Sequence, residues 1–265
     1  MNLKQLLEKY ISKGFTVAQA RSFVAQKVIL SKIKESEFID KVLLKGGVVM
    51  YNITQEKRRS TLDLDFDFIS FDIKNDDSIN HFIDSLNKKL PQYKVSIIGR
   101  IEELKHQDYK GKRVKVVISD ESESIHFKMD IGVHTLLGIK QNEMLFSFDD
   151  GESLTLFVNP PEQIVAEKLF SLAKIGSTSQ RFKDIDDVYF LINNQPLDIG
   201  LIKECLITIT RNKPYDIKNI SDVVTKVNNC LDDPFFMNGY TDNGAWLNLD
   251  YELVKTAIQA FINKL

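Results

Sequence analysis

Apolar residues recur along this chain with two different periods, and the period changes twice. From Leu3 to about Leu43 the spacing is helical: Leu3, Leu6, Leu7 and Tyr10 share a face, Gly14 interrupts, and Thr16 stands as the N-cap of a longer helix reaching about Lys34. A third short helix is expected next, with Phe38, Ile39 and Val42 on one side. Through the middle of the chain the period is mostly two. The segments "TLDLDFDFI" (61–69), "YKVSIIGRIEEL" (93–104), "KRVKVVISD" (112–120), "SIHFKMDIGVH" (124–134) and "LTLFV" (154–158) read as strands. One helix, "SINHFIDSLNKKL", lies among them behind a cap region at Asn75–Ser78. After Asn159-Pro160-Pro161 the helical period returns in "PEQIVAEKLFSLAKI" (161–175), in "RFKDIDDVYFLIN" (181–193) and near 198–209, 219–231 and 250–263. There is no internal repeat and no low-complexity tract. A strand-rich core between helical ends predicts an α+β fold. The expected division is 1–158, holding the N-terminal helices and the core, and 159–265, a helical domain.

Composition narrows the class without naming a function. The 265 residues are 43% hydrophobic and 27% charged, ordinary for a soluble globular protein that buries a sizeable core. A net charge of -2 gives no global attraction to nucleic acid or membrane, so any such partner needs a local patch. The N-terminus carries charges through its apolar positions, unlike a signal peptide, and no run of 18 apolar residues exists to span a membrane. Cys205 and Cys230 match neither a disulfide framework nor a zinc spacing; buried thiols in a reducing cytoplasm are expected.

The candidate chemistry begins with three aspartates at alternate positions. In a strand over 61–69, Thr61, Asp63, Asp65, Asp67 and Ile69 point one way, while Leu62, Leu64, Phe66 and Phe68 point toward a core. Asp63 and Asp65 would then lie about 6–7 Å apart at Cα and repel unless a cation sits between them. Mg²⁺ suits such a pair, because it takes oxygen ligands and often binds through one or two carboxylates plus substrate phosphates. An isolated Asp-x-Asp is also a common feature of a solvated acidic face. Upstream, Gly46-Gly47 separates two apolar segments, the second of which could start a helix; glycine lets backbone N–H groups approach a phosphate, and it equally serves a plain turn. Asp130 shares a strand face with His126 and Lys128, and completes a carboxylate triad if its strand lies beside that of Asp63 and Asp65. Lys168 sits beside the apolar stripe of the 161–175 helix, where it either snorkels to water or is held as a fixed cation. Arg181, Asp184 and Asp187 recur at spacing three on the next helix, either as exposed ion pairs or with Asp184 orienting Lys168 or a substrate group.

These pieces fall in one order: "KGG" (45–47), "RSTLDLD" (59–65), "KMD" (128–130), "PEQIVAEKL" (161–169) and "RFKDIDD" (181–187). In that order the chain resembles the AbiEii/MenT-type nucleotidyltransferase toxins of the DNA polymerase β-like nucleotidyltransferase superfamily, over about 45 to 190. One departure is Val48, where a hydroxyl residue is usual after the glycines. The resemblance implies a nucleotidyltransferase-like mixed sheet flanked by helices, with the helical C-terminal part contributing to the active site. It implies Mg²⁺-dependent transfer of a nucleoside monophosphate from an NTP. Asp63, Asp65 and Asp130 would be metal ligands, Asp130 alternatively the general base. Gly46, Gly47, Lys45 and Arg59 would bind nucleotide phosphates, Lys168 would neutralise phosphate charge, and Asp184 would position Lys168 or the acceptor.

The resemblance also implies an RNA acceptor, tRNA at its 3′ end, and a toxin–antitoxin setting with an AbiEi-like antitoxin as partner. Two basic clusters offer phosphate contacts: Lys57-Arg58-Arg59, and Lys110, Lys112, Arg113 and Lys115. The second reads equally as a solvated strand edge. Nucleotidyl transfer to a small molecule or protein hydroxyl is the alternative enzyme reading. A non-catalytic binding protein on the same fold is the third, against which the joint retention of Asp63, Asp65, Lys168 and Asp184 speaks.

Overall fold

The computed structural model describes residues 1–104, 111–136, 138–148, 151–179, 181–211, 215–243 and 246–265. They form a mixed α+β structure in two compact units, Met1–Thr135 with Gln141–Asn159, and Leu136–Lys140 with Pro160–Leu265.

The first unit holds a mixed sheet. Its strands are β1 (Val42–Lys45), β2 (Leu64–Phe68), β3 (Lys94–Ile97), β4 (Glu102–Glu103), β5 (Lys112–Ser119), β6 (Ser124–Val133), β7 (Asn142–Ser147) and β8 (Ser153–Val158). The order across the sheet is β3-β5-β6-β2-β1-β8-β7, with β4 pairing β5. At its centre β2 runs antiparallel to β1 and parallel to β6. Leu64, Phe66 and Phe68 are buried, and Phe66 and Phe68 pack with Phe82 of α4 (Asp76–Asn87) in an aromatic cluster that also takes Phe38. The N-terminal helices α1 (Leu3–Ser12) and α2 (Val17–Lys34) each open on a capping box, Asn2 with Gln5 and Thr16 with Gln19. α2 is buried around most of its circumference, as a helix against a sheet and other helices must be.

Several sequence expectations are corrected. Residues 36–41 form turns rather than a third helix, and Val42 begins β1. Val42, Leu43 and Leu44 are fully buried between β2 and β8, and a short apolar run of that kind carries no period to separate strand from helix. The strand expected from 61 starts at Leu64, so Leu62 is 59% exposed instead of facing the core. The stretch 93–104 splits into β3 and β4 around Gly99, whose φ of 72° lies in the left-handed region. The edge strand β7 was not anticipated; Met144, Leu145 and Phe146 break alternation, and Leu145 is exposed.

The second unit is helical: α5 (Pro161–Ile175), α6 (Phe182–Asn194), α7 (Ile199–Thr210), α8 (Ile220–Leu231), α9 (Pro234–Asn243) and α10 (Tyr251–Ile262). α5 packs against α6, α7 and α8, and Pro161 fills the first-turn position where its missing N–H costs nothing. Glu162 accepts a hydrogen bond from the backbone N–H of Asp198 at 3.1 Å, tying α5 to the start of α7. Cys205 and Cys230 are free and buried, and burial pushes both thiols up to about 12. The short α9, rich in Gly, Asn and Asp, had no readable period.

Lys32 of α2 is fully buried, and its Nζ donates to the carbonyls of Leu86, Lys89 and Leu90 at 3.2, 2.8 and 3.0 Å. It thereby bonds the Leu86 carbonyl in the last turn of α4 and the Lys89 and Leu90 carbonyls just beyond the helix. Burial lowers its pKa to about 8. Lys32→Met keeps the stem and takes the donor away from the Leu86 and Lys89 carbonyls, so urea unfolding at pH 7 should show a loss of about 2–4 kcal/mol. An unchanged midpoint would contradict this role.

Candidate active site

Strand register assembles a charged row on the first unit's sheet. Lys45 lies opposite Asp65, Asp65 opposite Asp130, and Asp130 opposite Arg113. Residues opposite one another across paired strands share a face. Two residues along, on the same face, Asp67 is buried and bonded to Lys45 Nζ at 2.5 Å, which accounts for the third aspartate of the alternating segment. Asp130 Oδ1 and Oδ2 accept from Arg113 Nε and Nη2 at 2.8 and 2.7 Å.

Asp63 sits in the loop just before β2. Its Oδ1 accepts from the Thr61 hydroxyl at 2.5 Å, and its Oδ2 lies 3.0 Å from Lys128 Nζ. Gln26 of α2 holds this loop by donating to the carbonyls of Thr61 and Asp63 at 3.2 and 3.0 Å. The loop's geometry also explains the glycine pair. A helix, α3 (Gly46–Thr54), starts directly at the end of β1, and Lys45 at its N-cap supplies no side-chain hydrogen bond. Gly46 has φ 67°, and a Cβ there would fall 2.4 Å from Asp65 Oδ2; a Cβ on Gly47 would fall 2.4 Å from Thr61 Cβ. Both glycines let the N-terminus of α3 close onto the Asp63/Asp65 segment.

The two carboxyls differ in charge state. Burial opposes ionisation of Asp63, but the Thr61 hydroxyl and the Lys128 ammonium outweigh it and hold its pKa below the ordinary range. Asp65 is pushed up to about 7, by burial first and by the neighbouring Asp63 second, with Lys45 pulling the other way. It keeps some solvent contact, yet most of what surrounds it is protein. Among the described residues no group of three His, Cys, Asp or Glu side chains is placed to hold a metal ion. The donor set fits a divalent cation held by two carboxylates, Asp63 and Asp65, with water or phosphate oxygens for the rest. Arg59 is buried in a 3₁₀ turn, Lys57–Arg59.

The basic clusters are less open than their composition suggests. Lys57 lies over the Phe15 ring and donates to the Lys13 carbonyl at 2.8 Å. Lys110 falls outside the described residues. Lys112 pairs with Asp76 and Glu103, Arg113 with Asp130, and Lys115 with Glu102.

In the second unit Lys168 of α5 does not snorkel. Its side chain is 11% exposed, and Nζ bonds Asp184 Oδ1 at 2.5 Å and Asp187 Oδ2 at 2.8 Å, both on α6. Burial raises the pKa of Asp184, but Lys168 and then Arg181, 3.3 Å away, more than reverse it, so the carboxyl titrates below its usual range.

The sequence from 28 to 228 matches the family described as "Nucleotidyl transferase AbiEii toxin, Type IV TA system". This chain belongs to the AbiEii family. A search of curated proteins found no match. Among solved structures the fold is similar to that of JHP933 from Helicobacter pylori, at 14% identity, with a TM-score of 0.50 over 94% of this chain and 92% of that one.

Within this AbiEii-family chain, sequence reasoning missed several residues that shape the two clusters. Asp187 stood on the right helix face but was not named as a site residue; it is fully buried and accepts from Trp246 Nε1 at 2.9 Å. Tyr240 and the Leu247 amide hold the adjacent Asp186 at 2.6 and 2.8 Å. Tyr240, Trp246 and Leu247 had offered no motif because they act through two aromatic donors and backbone amides. Thr61, Lys128 and Arg113 were legible on their strand faces or in a basic cluster, but not as partners of the aspartates, and Gln26 gave no signal, since loop closure and strand pairing bring them together.

Three substitutions test this geometry. Gly46→Ala should destabilise the chain by about 1–3 kcal/mol, from left-handed strain plus the clash with Asp65. Asp65→Gly in the same chain should recover part of that loss in a double-mutant cycle, and strict additivity would contradict the contact. Asp65 titrates higher folded than unfolded, so the native state binds more protons between about pH 4 and 7 and loses stability as pH rises through that window. Asp65→Asn should therefore raise the metal-free melting temperature at pH 8 by roughly 3–6 °C and change it little at pH 4. An equal shift at both pH values would contradict the assignment.

Proposed function

We propose that this AbiEii-family protein is a Mg²⁺-dependent nucleotidyltransferase that moves a nucleoside monophosphate from an NTP to an RNA acceptor, tRNA at its 3′ end, as the cytoplasmic toxin of a toxin–antitoxin pair with an AbiEi-like antitoxin. The observation that carries it is the closure of the α3 N-terminus onto the Asp63/Asp65 pair through Gly46 and Gly47. A helix N-terminus offers backbone donors to phosphate, and paired carboxylates beside it suit the metal that accompanies a triphosphate. Bound at Asp63 and Asp65, Mg²⁺ supplies charge neutralisation for the triphosphate and the departing pyrophosphate. Gly46 and Gly47 offer their amides to the β- and γ-phosphates, with Lys45 at the same helix end and Arg59 in the adjoining turn lending positive charge. In the transfer the acceptor hydroxyl oxygen bonds the α-phosphorus, the bond from the α-phosphorus to the bridging oxygen breaks so that pyrophosphate leaves with the electron pair, and the hydroxyl proton passes to solvent water. Lys168, fixed by Asp184 and Asp187, serves as a phosphate-neutralising cation whose position does not depend on substrate.

Transfer to a small-molecule or protein hydroxyl is the second reading, favoured by one observation: Lys112 and Lys115 are each paired with carboxylates, which weakens the case for a lysine-rich RNA-binding edge there. Incubation with radiolabelled NTPs, Mg²⁺ and total tRNA separates the two. Label should enter RNA, fall at least about a hundredfold in Asp65→Asn, and fall similarly in Lys168→Ala. Label on protein or small molecules supports the second reading, and no label with any acceptor overturns both.

A further inference from the structure

Asp130 is tied to one cation through both carboxylate oxygens, whereas Asp63 divides its oxygens between the Thr61 hydroxyl and the Lys128 ammonium. Both its carboxylate oxygens are engaged in a parallel fork with Arg113, through Nε and Nη2. Such a fork is the strongest and most oriented ion pair that side chains make. The bonded edge leaves the guanidinium's opposite edge, Nη1 with the second Nη2 hydrogen, without a side-chain partner among the described residues, and the Arg113 side chain is 35% exposed against 13% for Asp130. The nearest competing carboxylates are engaged: Glu102, opposite Arg113 on β4, is bonded to Lys115 at 2.6 Å, and Asp63 is bonded to Lys128 and Thr61. Register puts Asp130 directly opposite Asp65, one strand spacing or about 4.8 Å across the sheet, so the anchored guanidinium stands on the face that carries Asp65.

We propose that Asp130 is a positioning residue, which fixes Arg113 as a phosphate-binding fork beside Asp65, and not a third metal ligand. The inference rests on the two-carboxylate reading of Asp63 and Asp65 proposed above. A guanidinium held on one edge by a carboxylate meets a second planar or tetrahedral oxyanion on the other edge with little ordering cost. The ligand chemistry is a phosphate group, from either the nucleotide's polyphosphate or the acceptor's backbone.

Binding measurements on the intact chain test this without turnover. Mn²⁺ affinity is read by titration calorimetry or electron paramagnetic resonance, and phosphate affinity with inorganic triphosphate and, separately, a short single-stranded RNA. Asp130→Asn should leave Mn²⁺ affinity within about twofold, while Asp63→Asn lowers it about tenfold or more. Arg113→Ala and Asp130→Asn should each weaken one of the two phosphate probes by about five- to tenfold, the double variant no further, and Arg113→Lys should not restore it. The affected probe identifies the source of the phosphate. Loss of Mn²⁺ binding in Asp130→Asn as severe as in Asp63→Asn overturns the proposal, as does unchanged binding of both probes in Arg113→Ala. If the wild-type chain binds no Mn²⁺, the two-carboxylate reading falls by itself, and the phosphate probes still decide the role of Arg113.

Discussion

The first unit is organised around the cost of holding two carboxylates, Asp63 and Asp65, close together where burial disfavours charge. The neighbours divide that cost unequally. Thr61 and Lys128 stabilise the charged form of Asp63, while Lys45 only partly offsets the burial of Asp65 and its repulsion by Asp63 and Asp130. Arg113 takes Asp130, and Lys45 bonds Asp67. Every charged side chain in the row is paired with an opposite charge except Asp65, which burial and its acidic neighbours leave near neutrality. The glycines belong to the same arrangement, because any side chain at 46 or 47 would collide with Asp65 or Thr61.

The second unit solves a different problem. Lys168 is nearly enclosed, and two carboxylates from α6 supply its counter-charges. Asp187 is fully buried and would be costly alone; Lys168 on one oxygen and the Trp246 indole on the other satisfy it. The C-terminal segment thus stabilises the first turns of α6 from outside the region that carries the recognisable motifs.

Much of this was legible because burial imposes a period. Alternation over 61–69 placed the aspartates opposite Leu64, Phe66 and Phe68, and the helical stripe of 161–175 set Lys168 at its edge. Strand neighbours were not legible: nothing in the period of β6 says that Asp130 faces Asp65 on one side and Arg113 on the other. The same limit explains the lysine-rich edge, whose carboxylate partners lie 9, 13, 17 and 36 residues away in the chain. Short buried runs such as Val42–Leu44 were misread because, without a polar face, a strand and a helix look alike.

Asp65 is the group on which the proposed site depends most directly. Carboxyl-carbon NMR of the metal-free protein, with aspartate labelled and Asp65 assigned from Asp65→Asn, follows that group alone through pH. The predicted result is titration near 7, with a displacement to lower pH when Mg²⁺ and a non-hydrolysable NTP are added together. Titration near the ordinary aspartate value with no response to either addition would contradict the claim that this carboxyl is held for a cation.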